Sequence, residues 1–209
     1  MNNQIKLARQ AGWLYFLLIP FGVFGILYIP HHFFVENDIK ATIDNIKACE
    51  LLFRFGIISA IITQLIQIAA VLALFKLLKD VHKHAAIIML VSILVAVPIA
   101  LLNELNFFAV LESLDNPQLV RLFINLHETG VFIAQIFWGI WLFPMGWLVY
   151  RSQFIPKWIG ILLMIACFGY LIDSFVEFLN YDLGFVLSEI TFLGEPALVF
   201  YLIIKGIKK

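Results

Sequence analysis

Charge is what this 209-residue chain has least of: Asp, Glu, Lys and Arg supply 13% of it, while hydrophobic residues supply 63%. Soluble domains carry about 25% charged and roughly 45–50% apolar residues, so the polar surface of a water-soluble globule is missing. Fourteen basic residues balance fourteen acidic ones, which leaves no basic field for nucleic acid. Cysteine is nearly absent. Cys49 and Cys167 have neither disulfide nor metal spacing and read as small apolar fillers. His127 is the one histidine near an apolar run, with no facing partner, which excludes a haem held between two histidines. No lysine stands in the middle of a run, which excludes a retinal Schiff base, and nothing calls for a nucleotide.

Long apolar stretches are what the chain has instead. Six of them, near 11–29, 51–75, 85–110, 121–150, 158–179 and 184–204, match the roughly 20 residues that cross about 30 Å of hydrocarbon. The expected fold is all-α, a six-helix integral membrane bundle forming one domain over 1–209, in the plasma or inner membrane with lipids as its partners. Lys6 and Arg9 give the first run a basic lead-in like that of a signal peptide. Its apolar core is too long, however, and no small-residue cleavage site follows Tyr28-Ile29-Pro30, so it reads as a true span.

Orientation follows from the basic residues. Lys6, Arg9, Lys76, Lys79, Lys83, Arg151, Lys157, Lys205, Lys208 and Lys209 fall at one end of the bundle, and Lys40, Lys47, Arg54 and Arg121 at the other. Ten against four puts both termini in the cytoplasm. Trp147, Tyr150 and Trp158 then mark the inner aromatic belt. The outer 30–49 loop predicts a short amphipathic helix capped by Asn37 or Asp38, with Ile39, Ile43 and Ile46 on one stripe. It either lies over the membrane surface or bundle mouth, or simply extends the second span. His31 and His32 open this loop as interface residues. Gln64 and Gln67, near mid-membrane, are expected to hydrogen-bond between helices. Pro196 disfavours helical geometry at Glu195, which predicts a kink or local unwinding there.

Several short stretches carry a likeness: Ala8-Arg9-Gln10-Ala11-Gly12, Leu52-Phe53-Arg54, Leu126-His127, Leu148-Val149-Tyr150-Arg151-Ser152, Gly169-Tyr170-Leu171-Ile172-Asp173 and Gly194-Glu195. Through them nearly the whole chain resembles a bacterial multispanning membrane family, domain of unknown function 4386. The resemblance implies the six-helix membrane fold and supplies no mechanism. Its pattern includes Arg54, His127, Asp173 and Glu195, and requires no acid at Glu128.

Depth narrows the candidate site. Glu195 falls some ten residues into its span, near the midplane, and Asp173 roughly 20 Å from the inner boundary at 1.5 Å per residue. Glu189 lies a turn below the outer surface; Glu50, Arg54, Glu104, His127, Glu128 and Glu177 fall near the outer boundary. The pattern is an outward-facing acidic funnel, with Tyr170 on its wall and Arg54 as its single fixed cation. His127, Asp173 and Glu195, joined more weakly by Glu104 or Glu128, suit a divalent metal such as zinc. His127-Glu128 lacks the second histidine of a metalloprotease motif. With an open metal position the site would be a hydrolase for a lipid-like substrate. The alternatives are a proton- or cation-coupled transporter using Asp173 and Glu195, or a packing network of Glu50, Arg54, Asp173 and Glu195 with no ligand.

Overall fold

A computed structural model describes residues 2–181 and 183–207; Lys208 and Lys209 of the basic tail lie outside these. Among the described residues there are helices and no strands. Helix α1 (Asn2–Gly22) runs through a π-helical segment, Val23–Tyr28, into α2 (Ile29–Phe33). Then follow α3 (Ile39–Ala48), α4 (Glu50–Leu78), α5 (Lys83–Glu112), α6 (Pro117–Ser152), α7 (Lys157–Phe178), α8 (Leu187–Thr191) and α9 (Gly194–Ile204). Six stretches are long and apolar enough to cross a membrane: Asn3–Phe33, α4, α5, α6, α7 and Leu187–Ile204.

The helices overrun the apolar runs because their polar ends carry caps. The Asn116 side chain accepts from the N–H groups of Gln118 and Leu119, with Pro117 in the first turn, so α6 starts four residues before the run that begins at Arg121. Its 36 residues are about 54 Å long at 1.5 Å each, well beyond the hydrocarbon thickness. Asp38, not Asn37, caps α3, its Oδ1 accepting from Ala41 N–H at 2.9 Å. Ile43 and Ile46 are buried in a cluster with Phe33, Phe53, Phe107, Val120 and Ile124. The stripe therefore covers one end of the bundle; the chain turns at Cys49 before α4, so α3 is not an extension of the second span.

Helix α6 is the central post, packed along α5 and α7, while α1 packs along α4. Small residues allow the close approaches that hold helices together in lipid. A Cβ on Gly25 would lie 2.9 Å from the Ala60 nitrogen, and one on Gly146 would lie 2.5 Å from the Gly160 carbonyl oxygen. The larger core cluster includes Leu74, Met89, Trp141, Leu142, Met145 and Leu163 and fills the end that holds the termini. At that end Arg151 lies 5.5 Å from the Trp147 ring centre and Lys157 5.3 Å from that of Tyr150, as belt residues do.

Two spans are irregular. Pro20 deprives the first of a backbone N–H, and beyond it the ladder reforms with i→i+5 bonds, such as Ile29 N–H to the Phe24 carbonyl. The sixth is interrupted at Phe192-Leu193, between α8 and α9, by one tightened turn whose residues keep helical dihedral angles, a local disturbance just before Glu195 as expected.

Candidate functional site

The two irregular spans face each other across a chamber of about 480 Å³, whose other walls come from α4, α6 and α7. Its surface is mostly apolar, with Leu18, Ile26, Val131, Trp141 and Val199 among the lining residues. Glu195 also lines it. The Phe192-Leu193 break sets this carboxylate at the second position of α9, where it accepts hydrogen bonds from two phenols. The Tyr15 hydroxyl donates to Oε2, and the Tyr170 hydroxyl donates to Oε1 at 2.9 Å. Both rings are held from behind. Tyr15 packs edge-on to Trp141 with ring centres 5.5 Å apart. The Tyr170 carbonyl accepts from Gln135 Nε2 at 3.2 Å and from Ser174 Oγ at 2.9 Å, which ties α7 to α6.

Gln64 and Gln67 line the same chamber from α4, at 3% and 8% exposure. Their Oε1 atoms have no hydrogen-bond partner, nor has Trp138 Nε1. The sequence led us to expect inter-helix hydrogen bonds from both glutamines, and their amide oxygens make none. Among the described residues no ion pair forms at Glu195. Unpaired amide oxygens and an unpaired indole N–H thus stand around the chamber.

His127 lies one layer away. Its Nε2 is 3.4 Å from Glu104 Oε1, a long contact, and its ring stacks on Phe107 with centroids 3.4 Å apart. Asn103 Nδ2 donates to the His127 carbonyl at 2.8 Å. Glu104 Oε2 is buried without a partner and borders a cavity of about 20 Å³ that shares Gln64, Val131 and Trp138 with the main chamber. Asp173 is occupied differently. Its Oδ1 accepts from Leu187 N–H at 2.9 Å and its Oδ2 from Ser188 N–H at 2.7 Å, pinning α8 to α7.

The expected constellation of His127, Asp173 and Glu195 is therefore not assembled. Among the described residues no group of three or more His, Cys, Asp or Glu is placed to hold a metal ion. The reason is local: backbone N–H groups take both oxygens of Asp173, phenols take those of Glu195, and His127 is stacked beside Glu104. Nor do the remaining acids share one funnel. Glu50 pairs with Arg54 at 2.8 Å on the exposed start of α4, so Arg54 organises neither Asp173 nor Glu195. Glu128 lines a separate cleft with Glu36, Asp38 and Arg121; Glu177 is exposed; Glu189 sits exposed on the chamber rim. Three residues that matter went unnoticed in the sequence: Tyr15, Gln135 and Trp138. Trp138 and Trp141 stand in the middle of a span, away from the interfacial belt where Trp collects, and that was the available signal.

Six helices of membrane-crossing length, with a polar constellation turned into the bundle, make this a multi-pass helical membrane protein. Within that class the chain belongs to the family DUF4386, a domain of unknown function, which matches residues 10–206. An uncharacterised protein of Archaeoglobus fulgidus is 33% identical over 154 residues, covering 74% of this chain and 85% of that protein. No solved structure matches the chain.

Proposed function

We propose that the protein binds an amphiphilic ligand inside the bundle, with a cationic or hydrogen-bond-donating head against Glu195. One observation carries this reading: a carboxylate deep in an apolar chamber is held by two tyrosines and, among the described residues, has no cation of the protein beside it. An ionised carboxylate at such depth costs at least about 2.5–3.5 kcal/mol on the lenient insertion scale. A ligand cation offsets that cost, and the apolar walls take its hydrocarbon part. The basic residues at the end bearing the termini support a cytoplasmic assignment of that end, with the chamber toward the outer leaflet.

A second reading, proton- or cation-coupled transport, is favoured by the broken helices. Transporters commonly build midplane sites from discontinuous spans, and here the π-helical segment and the α8–α9 break both border the chamber.

Binding is tested by titrating the purified protein with dodecylamine, and with neutral dodecanol as its control, following the fluorescence of Trp138 and Trp141. Glu195→Gln removes the charge and keeps the shape. A charge-assisted hydrogen bond is worth about 1.5–3 kcal/mol, so the amine should bind roughly ten- to a hundredfold more weakly to the variant. Equal amine affinity in both proteins refutes the reading. In sealed vesicles a proton flux abolished by Glu195→Gln favours transport, and an unchanged flux removes it.

A further inference from the structure

Resting on that binding reading, we infer that the ligand is a single-chain amphiphile with a primary ammonium head, and that it enters sideways from the bilayer between the π-helical segment and α8. The opening is wedge-shaped. At its closed edge α1 and α9 touch: a Cβ on Gly12 would lie 2.9 Å from Leu202 Cβ, and the Tyr15–Glu195 hydrogen bond is the next tie. Beyond that tie the two spans part. The π-helical segment packs on α4, whereas α8 packs on α7. The chamber residues left between them, Ile19, Leu27, Val186 and Phe192, are 40%, 62%, 46% and 42% exposed. Exposed apolar side chains on a membrane-crossing stretch face hydrocarbon, so this mouth opens into lipid.

Away from the mouth the bundle is tightly packed. One end is filled by the fully buried Leu74, Met89, Leu142 and Met145. The other is covered by α3 over a stack of Phe33, Phe34, Phe53 and Phe107.

The head group follows from the acceptors. Gln64 Oε1 and Gln67 Oε1, on side chains more than nine-tenths buried, have no partner, and Glu195 keeps lone pairs beyond those used by two phenols. An ammonium group offers three N–H donors, no acceptor and a positive charge, which is the complement of the Glu195 carboxylate. A hydroxyl head brings a single donor and no charge to set against the carboxylate. The exposed Glu189 lines the same chamber and attracts the same charge on its way in. The tail follows from the volume: about 480 Å³ is near the small end of ligand sites, so a long chain stays partly in the mouth and the lipid beyond it.

The test closes the mouth. In a background carrying Cys49→Ser and Cys167→Ala, Leu27→Cys and Phe192→Cys are joined by a reducible bifunctional thiol reagent in phosphatidylcholine nanodiscs. Stopped-flow tryptophan fluorescence then follows dodecylamine association. Closure should slow association at least about tenfold, and reduction of the linker should restore it; an unchanged rate at complete cross-linking overturns the lateral route. Narrowing the mouth with Val186→Phe tests the same route without the linker and should slow association in proportion, while an unaltered rate again counts against it. Methylamine binding as tightly as dodecylamine overturns the amphiphile assignment. Failure of the underlying binding reading looks different: no amine discriminates wild type from Glu195→Gln, whether the mouth is open or closed.

Discussion

Asp173 offers the most direct quantitative test of the arrangement, because structure and sequence assign it different roles. On the sequence it stood as a metal ligand; in the fold it is the clamp that fixes α8 against α7 through two backbone N–H groups at 2.9 and 2.7 Å. Helix α8 has five residues, none of them buried, so its own propensity does little to hold it, and the clamp works alongside its packing on α7. Hydrogen bonds to a charged acceptor contribute about 1.5–3 kcal/mol each. Asp173→Asn keeps one acceptor oxygen and turns an amide NH₂ toward the other N–H, so about one bond is lost. Asp173→Ala loses both. At about 1.4 kcal/mol per decade, backbone exchange at 187–193 should quicken by roughly one to two decades in the first variant and about two to four in the second, provided local opening controls exchange. Hydrogen–deuterium exchange with mass spectrometry reads this directly, and peptides from α4 serve as the internal control. Unchanged exchange at 187–193 in Asp173→Ala refutes the clamp. Because Ser188, Glu189 and Phe192 line the chamber, loosening α8 should also weaken amine binding, although Asp173 itself does not line it.

Two further outcomes follow from other parts of the fold. Gly146→Ala sets a methyl 2.5 Å from the Gly160 oxygen and 2.8 Å from the Met164 nitrogen, backbone atoms that cannot swing aside, so α6 and α7 must separate; we expect about 1–3 kcal/mol of destabilisation, seen as a lower thermal midpoint in detergent. Asp115 bonds Lys47 at 2.8 Å between exposed side chains, and that hydrogen bond, then the charge of Lys47, holds its carboxyl below the ordinary 3.8. A depressed folded-state value means that the attraction is fully present above the ordinary carboxyl range and fades as pH falls through the folded value; Lys47→Ala should raise the Asp115 midpoint in a carboxyl chemical-shift titration, and added salt should shrink the difference.

The sequence was legible where one dominant force acts. Hydrocarbon thickness selects runs of about 20 apolar residues, and all six expected spans appear; their ends were misjudged by a few residues because caps such as Asn116 let polar turns continue the helix. The stripe of α3 and the disturbance before Pro196 were legible for the same reason, a strong local rule. The site was not. Depth along the membrane is a one-dimensional coordinate, and it placed His127, Asp173 and Glu195 in compatible layers without fixing the face of each helix. Rotation about the helix axis is set by packing, through contacts such as Gly25 on Ala60 and Gly139 on Tyr170, which no single run of residues encodes. Counting carboxylates also counted Asp173 as available, when the N–H groups it satisfies belong to a helix 14 residues away. Tyr170 was read as part of the pocket wall and Tyr15 was not singled out, yet the hydroxyls of both are the partners that Glu195 meets.

The two prolines that disturb the outermost spans bear on the same carboxylate. Pro196 has no N–H to give the Phe192 carbonyl, and an oxygen left bare in lipid costs several kcal/mol. Glu195 N–H takes that bond instead at 2.9 Å, an i→i+3 link that tightens the turn, and the i→i+4 ladder resumes with Ala197 N–H on the Leu193 carbonyl at 3.3 Å. The link that repairs the break belongs to the residue whose side chain lines the chamber, so backbone repair and orientation of the carboxylate are one event. Pro20 acts on the opposite wall. Between it and Pro30 the ladder widens into the π-helical segment, whose Ile26 and Leu27 line the chamber while Gly25 lies against α4. A regular helix on either side would satisfy its own backbone without help, but it would also place the side chains at a 3.6-residue period over its whole length. The departures from that period occur in the two spans that frame the mouth, with Glu195 at its closed edge.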